Sequence, residues 1–496
     1  MKLQDLLLFQ NYRRLFGKTD REISSLQYNS KDVVEDSVFF AISGHSCNGK
    51  DFIQDAIYNG AKTIVLENYR GDEITPGQDI TIVEVEDARK ALAHMSNRFY
   101  NNPSEEMQVI GVTGTKGKTS VTYMIKHILE NAGIKCGIIG TVMTGYDGHY
   151  HEAHRTTPES IEIQELMRRM ADAGCKAVVM EVSSQGLMDS RVEKIDFDIG
   201  VFTNIFPDHI GPKEHKDFEE YISCKSHLFD LAPKSVANYN DPRWKEVIKP
   251  DGWKKVILYG DGESCDFKFE DLFLGDRNEN FGTGFRVAFG KNLKSEEQEL
   301  FINLPGRFNV YNSMAAISVA RELGIPWEAI KESLRTLKIP GRTEIVPCGR
   351  DYTIMVDYAH NGMALRNLLT TLRECSPNRL IVVFGAGGNR DRNRRFEMGK
   401  AAFDLADYII ITSDNPRHEK PEDIIKDITS VMEFCHKPIL VIPDRREAIE
   451  RAMDEGKTDD IIVVAGKGHE TYQIIGDEIL FFDDKEVILS RGKEQQ

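Results

Sequence analysis

The sequence predicts an α/β protein of three domains, and three observations support this prediction. The chain has 496 residues, and a typical domain has roughly 150. Short apolar runs alternate with helical patterns along most of its length, as in parallel sheets joined by crossover helices. Turn-rich segments at 101–104 and 340–341 interrupt this alternation. We therefore expect domains at 1–105, 106–339 and 340–496.

The first predicted domain is a small α/β unit. Its strands are expected at 37–42, 63–66 and 80–85, where apolar and β-branched residues cluster. An alanine-rich helix follows and ends near Tyr100.

The central predicted domain opens with a strand at 107–112, a glycine-rich turn and a helix at 119–133. Apolar runs at 177–182 and 199–202 are short enough to be buried parallel strands. The later elements are expected to be antiparallel strands within 250–300 and helices at 309–323 and 327–338.

The third predicted domain is a doubly wound, Rossmann-like sheet. Helical spacers separate five apolar runs, which is the pattern of parallel strands covered on both faces. These runs lie at 353–356, 380–384, 408–412, 439–442 and 461–465.

Composition and charge restrict the function. Hydrophobic residues make up 41% and charged residues 29% of the chain, which is typical of a globular protein. The 63 Lys and Arg residues against 79 Asp and Glu residues give a net charge of −16. So acidic a chain is a poor bulk ligand for nucleic acid or anionic membranes. We expect a monomer that binds neither.

The terminus and the cysteines predict a cytoplasmic protein. The first apolar stretch is short and is followed by Arg13 and Arg14 without a cleavage site, so we expect no signal peptide. No apolar run approaches ~18 residues, the length that spans a bilayer. The eight cysteines are scattered without a CxxC pair, which is typical of reduced thiols.

A phosphate-binding loop is predicted in the segment Gly111-Val-Thr-Gly-Thr-Lys-Gly-Lys-Thr119. Glycines let backbone N–H groups approach a polyphosphate, Lys118 would reach the terminal phosphates, and Thr119 would ligate Mg²⁺. The strict pattern GxxxxGK[ST] requires glycine where Val112 stands, and an ordinary glycine-rich turn is the alternative. The candidate ATP-binding residues are Gly114, Thr115, Lys116, Gly117, Lys118, Thr119 and Ser120.

Three further residues are candidates for a metal site. Glu181 ends an apolar strand, and His209 follows another, at the sheet edge where open α/β sheets bind ligands. Lys225 lies in a segment that we expect to be helical. Taken singly, a solvated strand end, a turn histidine and a surface lysine are the simpler interpretations.

The octapeptide TGTKGKTS at 113–120 resembles the phosphate loop of the Mur ligase family, which includes the folylpolyglutamate synthases. The resemblance implies ATP as co-substrate and a two-magnesium site with Thr119, Glu181 and His209 as ligands. It also implies that Lys225 carries a carbamate derived from CO₂, which would supply an oxygen ligand. Lys118, Glu181, His209 and Lys225 are then the catalytic candidates.

Two residues are candidates for nucleotide contacts. The resemblance places Asn309 near the adenine and Arg342 near the ATP phosphates, although helix capping by Asn309 and Asn312 and an interdomain surface arginine are the alternatives. The segment Asp357-Tyr358-Ala359-His360 also resembles the family, whereas the three residues after it depart from its pattern. A GxGxxG motif would need glycine where Arg390 stands, so we assign no NAD.

Two groups of residues resemble the family's sites for a uridine-nucleotide precursor. Their members are Ser30 and His45 in the first domain, and Thr156, Thr157, Ser183 and Arg191 in the second. Hydroxyls and an arginine suit a peptide with free carboxylates. Asp189 stands where the family's pattern has glutamine. Polar turns are the alternative for the first group.

The third domain carries a predicted amino-acid site. The family's meso-diaminopimelate-adding members share the segment Asp414-Asn415-Pro416-Arg417, and Gly466 to Glu470 follow another strand. Arg417 and Arg390 can bind the distal carboxylate of diaminopimelate but would repel the ammonium of lysine. Asp414 and Glu470 can accept from its distal ammonium. A simple Asx-Pro turn is the alternative.

These resemblances cover the whole chain and imply an ATP-dependent amide ligase. It would join meso-diaminopimelate to UDP-N-acetylmuramoyl-L-alanyl-D-glutamate through an acyl phosphate, in cell-wall precursor synthesis. L-lysine as the added residue and a folylpolyglutamate synthase-like activity are the alternatives within the family. A nicotinamide-dependent oxidoreductase and a non-catalytic nucleotide-binding module are the alternatives outside it.

Overall fold

The computed structural model describes residues 1–8, 11–44, 47–71, 74, 79–151, 155–211, 214–249, 255–275, 281–289, 296–432 and 437–494. The chain forms two compact units. The first contains 1–268, 289–296 and 314–330, and the second contains 269–288, 297–313 and 331–496. Within the described ranges, every helix is too short or too polar to cross a bilayer.

The first unit begins with a five-stranded sheet in the order β1-β5-β4-β3-β2. Its elements are α1 (Leu3–Leu6), β1 (Tyr12–Phe16), β2 (Leu26–Gln27), β3 (Ser37–Phe40), α2 (Ile53–Tyr58), β4 (Ala61–Glu67), β5 (Thr81–Val85) and α3 (Ala88–Phe99). The strands pair in parallel except β1, which is an antiparallel edge. Asp87 caps α3 by accepting from the N–H groups of Arg89 and Lys90. The three strands and the helix expected here are confirmed.

A second sheet of the first unit carries the phosphate loop. Its elements are β6 (Gln108–Thr113), α4 (Lys118–Asn131), β7 (Cys136–Ile139), β8 (Thr144–Tyr146), β9 (His149–His151), α5 (Ser160–Asp172), β10 (Ala177–Glu181), α6 (Ser184–Met188), β11 (Ile199–Phe202), α7 (Phe218–Leu231), β12 (Lys234–Asn238), α8 (Trp244–Ile248) and β13 (Lys255–Gly260). The strand order is β13-β12-β11-β6-β10-β7-β8-β9.

The six strands from β13 to β7 in this order are parallel. Buried apolar side chains cover them on both faces, as expected for strands crossed by helices. Their carboxyl ends therefore share one edge, where β6, β10 and β11 deliver the loop, Glu181 and the segment from Thr203 onward.

The segment after β13 differs from its prediction. It contributes β14 (Phe267–Leu274), β15 (Thr283–Phe289), β16 (Glu296–Ile302), α9 (Arg307–Glu322) and α10 (Trp327–Thr336). The antiparallel expectation is wrong for β13, which pairs in parallel with β12 and with β14. The crossover through α8 returns the chain in the same direction as β12, so charge and glycine content were a poor guide to strand direction.

The second unit contains a doubly wound six-stranded sheet in the order β17-β18-β22-β19-β20-β21. Its elements, with a separate hairpin of β23 and β24, are β17 (Glu344–Ile345), β18 (Thr353–Asp357), α11 (Gly362–Glu374), β19 (Leu380–Phe384), α12 (Asn393–Leu405), β20 (Tyr408–Ile411), α13 (Pro421–Thr429), β21 (Ile439–Val441), α14 (Arg445–Glu455), β22 (Ile461–Ala465), β23 (Tyr472–Ile475), β24 (Glu478–Phe481) and α15 (Asp484–Glu494).

Helices cover both faces of this sheet, as predicted. Apolar side chains of α11, α12 and α13 pack on one face, and those of α14 and α15 pack on the other. Five strands are parallel and β17 is antiparallel. The loops after β19, β20 and β22 leave from one sheet edge, which is where the sequence predicted the amino-acid site.

Candidate active site

The phosphate loop joins β6 to α4, and two glycines determine its shape. Gly114 has φ +147° and Gly117 has φ +89°, conformations that strain any residue with a Cβ. At Gly114 a Cβ would also lie 1.9 Å from Thr203 Oγ1. Gly117 is the N-cap of α4, whose first turn favours an anion. Ser120 is buried in that turn.

The segment that follows β11 holds the loop in place. Thr115 N donates to Asn204 O at 2.8 Å, and Lys116 N donates to Asn204 Oδ1 at 3.0 Å. The Lys116 ammonium lies 3.2 Å from Asp208 Oδ2. Burial by itself would raise the pKa of Asp208, but the charge of Lys116 lowers it below its ordinary value. The Lys118 ammonium donates to Gly114 O at 2.9 Å.

Glu181 is the centre of a cluster of oxygen atoms. Its side chain, 1% exposed, accepts from Thr119 Oγ1 at 3.1 Å. Thr141 donates to the same carboxylate from its N–H at 2.8 Å and from its hydroxyl at 3.2 Å. Thr156 Oγ1 lies 3.0 Å from the Thr141 hydroxyl. Carboxylate and hydroxyl oxygens are ligands that Mg²⁺ accepts, so this donor set fits the ion.

Lys225 lies on α7, so the predicted helix is confirmed. Its side chain is buried, with 1% of its surface exposed. Its ammonium donates to Gly114 O at 3.0 Å and lies 4.6 Å from the Tyr221 ring centroid. Burial, and then the charge of Lys118, hold the pKa of Lys225 well below its ordinary value. A lowered pKa increases the neutral fraction of this amine, and a neutral amine can act as a nucleophile.

The two histidines of this region lie in different surroundings. His209 has φ +56°, and its Nδ1 lies 3.0 Å from Glu214 Oε1 on a half-exposed surface. The contacts of its ring thus join it to Glu214 and not to Glu181. His215 is 1% exposed, and its Nε2 lies 2.9 Å from Ser184 Oγ.

A cleft of about 1250 Å³ lies in the first unit beside the loop. Most of the residues predicted for the nucleotide precursor and the reaction share its wall. They are Ser30, Lys118, Thr156, Thr157, Ser183, His209, Arg191 and Lys225. His45 lies outside the described residues. Thr157 supports the far end of the Glu181 strand, since its hydroxyl donates to Glu181 O at 2.9 Å.

Arg191 belongs to an ion cluster on the same wall. It lies 2.7 Å from Asp189 Oδ2 and 3.2 Å from Glu159 Oε1, and all three side chains are about nine-tenths buried. Arg155 and Arg89 also contact Glu159, at 2.6 Å and 3.4 Å. Three guanidinium groups thus contact two carboxylates in this cluster. Asp189, where the family's pattern has glutamine, accepts from Arg191.

In the second unit, the segment after β20 adopts a fixed loop. Arg417 has φ +52°, and the hairpin holds its backbone through Arg417 N to Ile474 O at 3.0 Å and Gly476 N to Arg417 O at 2.7 Å. Its side chain donates to Gly388 O at 2.9 Å. A Cβ at Gly388 would lie 1.9 Å from Pro416 O, so the loops after β19 and β20 pack closely.

Arg390 and Arg417 lie beside the same glycine. From the position of a Cβ on Gly387, Arg417 Nη1 is 3.1 Å away and Arg390 Cγ is 3.7 Å away. Gly466 lies closer still to Asp414, because a Cβ there would meet Asp414 Oδ2 at 2.5 Å. The predicted amino-acid residues therefore adjoin one another.

Arg445 is a buried support that the motifs did not reveal. It is 0% exposed and pairs with Asp484, also 0% exposed, at 2.7 Å. It also donates to Ser413 O at 3.3 Å and to Ala465 O at 3.1 Å. These carbonyls belong to the residues that precede Asp414 and Gly466, so one guanidinium ties the two loops together.

The two predicted nucleotide residues, Asn309 of the predicted central domain and Arg342 of the predicted third domain, both lie in the second unit. Asn309 is inside α9 and its amide donates to Pro305 O at 2.9 Å. The helix-cap interpretation of Asn309 and Asn312 is therefore wrong, since Gly306 O accepts the first helical bond, from Val310 N. The Arg342 guanidinium lies 4.9 Å from the Tyr358 ring.

Several residues of these sites carry no recognisable motif. Contacts with residues distant in sequence give a role to Thr141, Asn204 and His215. The sequence signal that could have identified them as site residues is their position after strands or in the predicted loop region. The same is true of Arg445, whose partner is 39 residues away.

Three family models match successive segments of the chain. The Mur ligase family catalytic domain matches 22–100, the Mur ligase middle domain matches 112–320, and the Mur ligase glutamate ligase domain matches 341–468.

Full-length relatives and a solved structure agree with these matches. A UDP-N-acetylmuramoyl-L-alanyl-D-glutamate–2,6-diaminopimelate ligase of Clostridium botulinum is 43% identical over 477 residues and covers 96% of each chain. The protein of the same name from Caldanaerobacter subterraneus subsp. tengcongensis is 40% identical, with 98% of each chain covered. A solved structure of a ligase of this name is 28% identical, has a TM-score of 0.73, and covers 100% of this chain and 99% of that one. The chain belongs to the Mur ligase family.

Proposed function

We propose that the chain is an ATP-dependent amide ligase that joins meso-diaminopimelate to the D-glutamate γ-carboxylate of UDP-N-acetylmuramoyl-L-alanyl-D-glutamate. One observation carries the proposal: the phosphate-loop Lys118 and the predicted precursor residues Thr157, Ser183 and Arg191 line one cleft of the first unit. An activated carboxylate and the ATP that activates it need such a shared site. The relatives' names support the choice of substrates.

The proposed reaction has two steps. The γ-carboxylate oxygen attacks the γ-phosphorus of ATP, the bond to the β-phosphate oxygen breaks, and ADP leaves. Lys118 offsets charge on the transferring phosphoryl group. The amine of diaminopimelate then attacks the acyl carbon, a proton leaves the nitrogen, and phosphate departs from the tetrahedral intermediate.

The oxygen cluster supports magnesium as the cofactor. Thr119 and Glu181 would hold the ion, which supplies positive charge at the phosphates. His209 is proposed as a further ligand on the family resemblance. Lys225 is proposed to carry a carbamate: its neutral amine adds to CO₂, an N–C bond forms and a proton is released. Its burial and its lowered pKa support this assignment.

The second unit supports the choice of amino acid. Arg417 and Arg390 adjoin Gly387, and guanidinium groups bind a carboxylate through paired hydrogen bonds. Glu470 and Asp414 provide acceptors for the distal ammonium. Asn309 and Arg342 are proposed to contact the nucleotide. The proposal includes monomeric action in the cytoplasm, consistent with the seven described cysteines, which are free thiols.

Oxygen-18 transfer tests the proposed chemistry. With the D-glutamate γ-carboxylate labelled, we expect one label in each phosphate released during turnover. Unlabelled phosphate would exclude the acyl phosphate. Phosphate release that needs ATP and the precursor together with an amino acid would exclude an oxidoreductase and a non-catalytic module, and activity on a folate substrate would favour the folylpolyglutamate synthase alternative.

A further inference from the structure

Lys467 is a fully buried cation beside the proposed amino-acid site. It follows β22, and 0% of its surface is exposed. A charge taken out of water is costly unless it is paired and hydrogen-bonded. Its partners are the Asn415 side-chain oxygen and Glu470 Oε2, each at 3.2 Å.

These three side chains form a closed triangle. The Asn415 amide nitrogen donates to Glu470 Oε2 at 3.0 Å, so the same carboxylate oxygen accepts from both partners. Glu470 Oε1 takes no part in the triangle, and the Glu470 side chain keeps 14% exposure. Ile474 N also donates to the Asn415 oxygen at 3.0 Å, which ties the triangle to β23.

From this geometry we infer that Lys467 is a positioning residue, which orients Asn415 and the Glu470 carboxylate so that Oε1 receives the distal ammonium of the amino-acid substrate. The inference rests on the proposed function of this site. Lys467 touches neither substrate nor reacting atoms and acts through its two neighbours.

The electrostatics of Glu470 agree with this role. Burial raises the pKa of Glu470, and Lys467 opposes that rise. Asp414 raises the same pKa, and Arg445 and Tyr358 also interact with Glu470. Without Lys467 the Glu470 pKa rises further, so the carboxylate is lost at a higher pH than in the unmutated chain.

The test compares Lys467→Met with the double variant Lys467→Met/Glu470→Gln. We expect Lys467→Met to raise the KM for diaminopimelate at least about tenfold at pH 7.5, the loss of one hydrogen bond to a charged group, while the KM for ATP stays within twofold. The KM for diaminopimelate should rise further as pH falls, and the rise should start at a higher pH than in the unmutated enzyme.

The double variant removes both charges, so it should recover part of the thermal stability lost in Lys467→Met without recovering the KM. Arg379→Met is the matched control: it breaks the Arg379–Asp460 pair at 2.5 Å in the same unit, and it should lower stability but leave the KM unchanged. Unchanged diaminopimelate kinetics in Lys467→Met, or a KM that recovers together with stability in the double variant, would overturn the inference. Unmutated enzyme that shows no diaminopimelate-dependent turnover would instead overturn the proposed function.

Discussion

The cations around Gly114 in the first unit and those beside the predicted amino-acid site in the second unit have different partners. In the first, the ammonium groups of Lys118 and Lys225 donate to the neutral carbonyl of Gly114. In the second, the buried cations Lys467 and Arg445 pair with carboxylates. An ammonium group bound to a neutral carbonyl keeps its net charge, which can act on an incoming phosphate. An amine whose pKa is lowered is more often neutral, and its lone pair can then react with CO₂. A cation paired with a carboxylate has its charge balanced, and it holds the neighbouring side chains and loops in position. We therefore expect the cations around Gly114 to act in the chemistry, and those beside the predicted amino-acid site to hold the residues that select the substrate.

The largest expected effect comes from removing the loop ammonium. Lys118→Ala should lower kcat more than about 1000-fold without unfolding the chain, because its charge acts mainly as phosphoryl charge develops. Steady-state phosphate release measures kcat, and circular dichroism checks the fold. Near-normal turnover in the folded variant would contradict the loop assignment.

Lys225→Ala tests whether Lys225 takes part in the proposed reaction. We expect kcat to fall at least about 100-fold, the usual effect of one preorganised charged group. Acetate should restore part of the activity because its carboxylate can replace the lost carbamate oxygens, whereas methylamine should not. Full activity without any rescue would remove Lys225 from the metal site.

Arg417→Ala tests selection in the second unit. The KM for diaminopimelate should rise at least ~30-fold, the lower end of the cost of losing one partner of a charged pair. The KM values for ATP and for the uridine precursor should change little. Equal small effects on all three substrates would support a simple turn at 414–417.

Lys116→Ala is the smallest expected effect and sharpens the first prediction. Lys116 is in the same loop as Lys118, but its ammonium pairs with Asp208 at 3.2 Å on a partly exposed surface. Such pairs are worth up to about 1 kcal/mol, so kcat/KM for ATP should fall at most about fivefold. A loss as large as that of Lys118→Ala would mean that the loop needs both charges.

The sequence predicts the features that depend on local signals, but not those that depend on contacts between distant residues. The parallel strands and the loop follow from short apolar runs and from glycines at 114 and 117, which are local signals. Motif residues such as Glu181, Arg191 and Arg417 could also be named. The residues that hold the sites in position could not be predicted. Thr141, His215 and Arg445 act through partners that are far along the chain. The predicted direction of β13 was wrong for the same reason, because strand pairing depends on the crossover and not on composition.

The most direct test of a selecting second unit is the initial rate of phosphate release by the unmutated enzyme with ATP, UDP-N-acetylmuramoyl-L-alanyl-D-glutamate and either meso-diaminopimelate or L-lysine. Arg417 and Arg390 would bind the distal carboxylate that lysine lacks. We expect kcat/KM for diaminopimelate to exceed that for L-lysine at least ~30-fold. Equal values, or a preference for L-lysine, would contradict the assignment of the second unit.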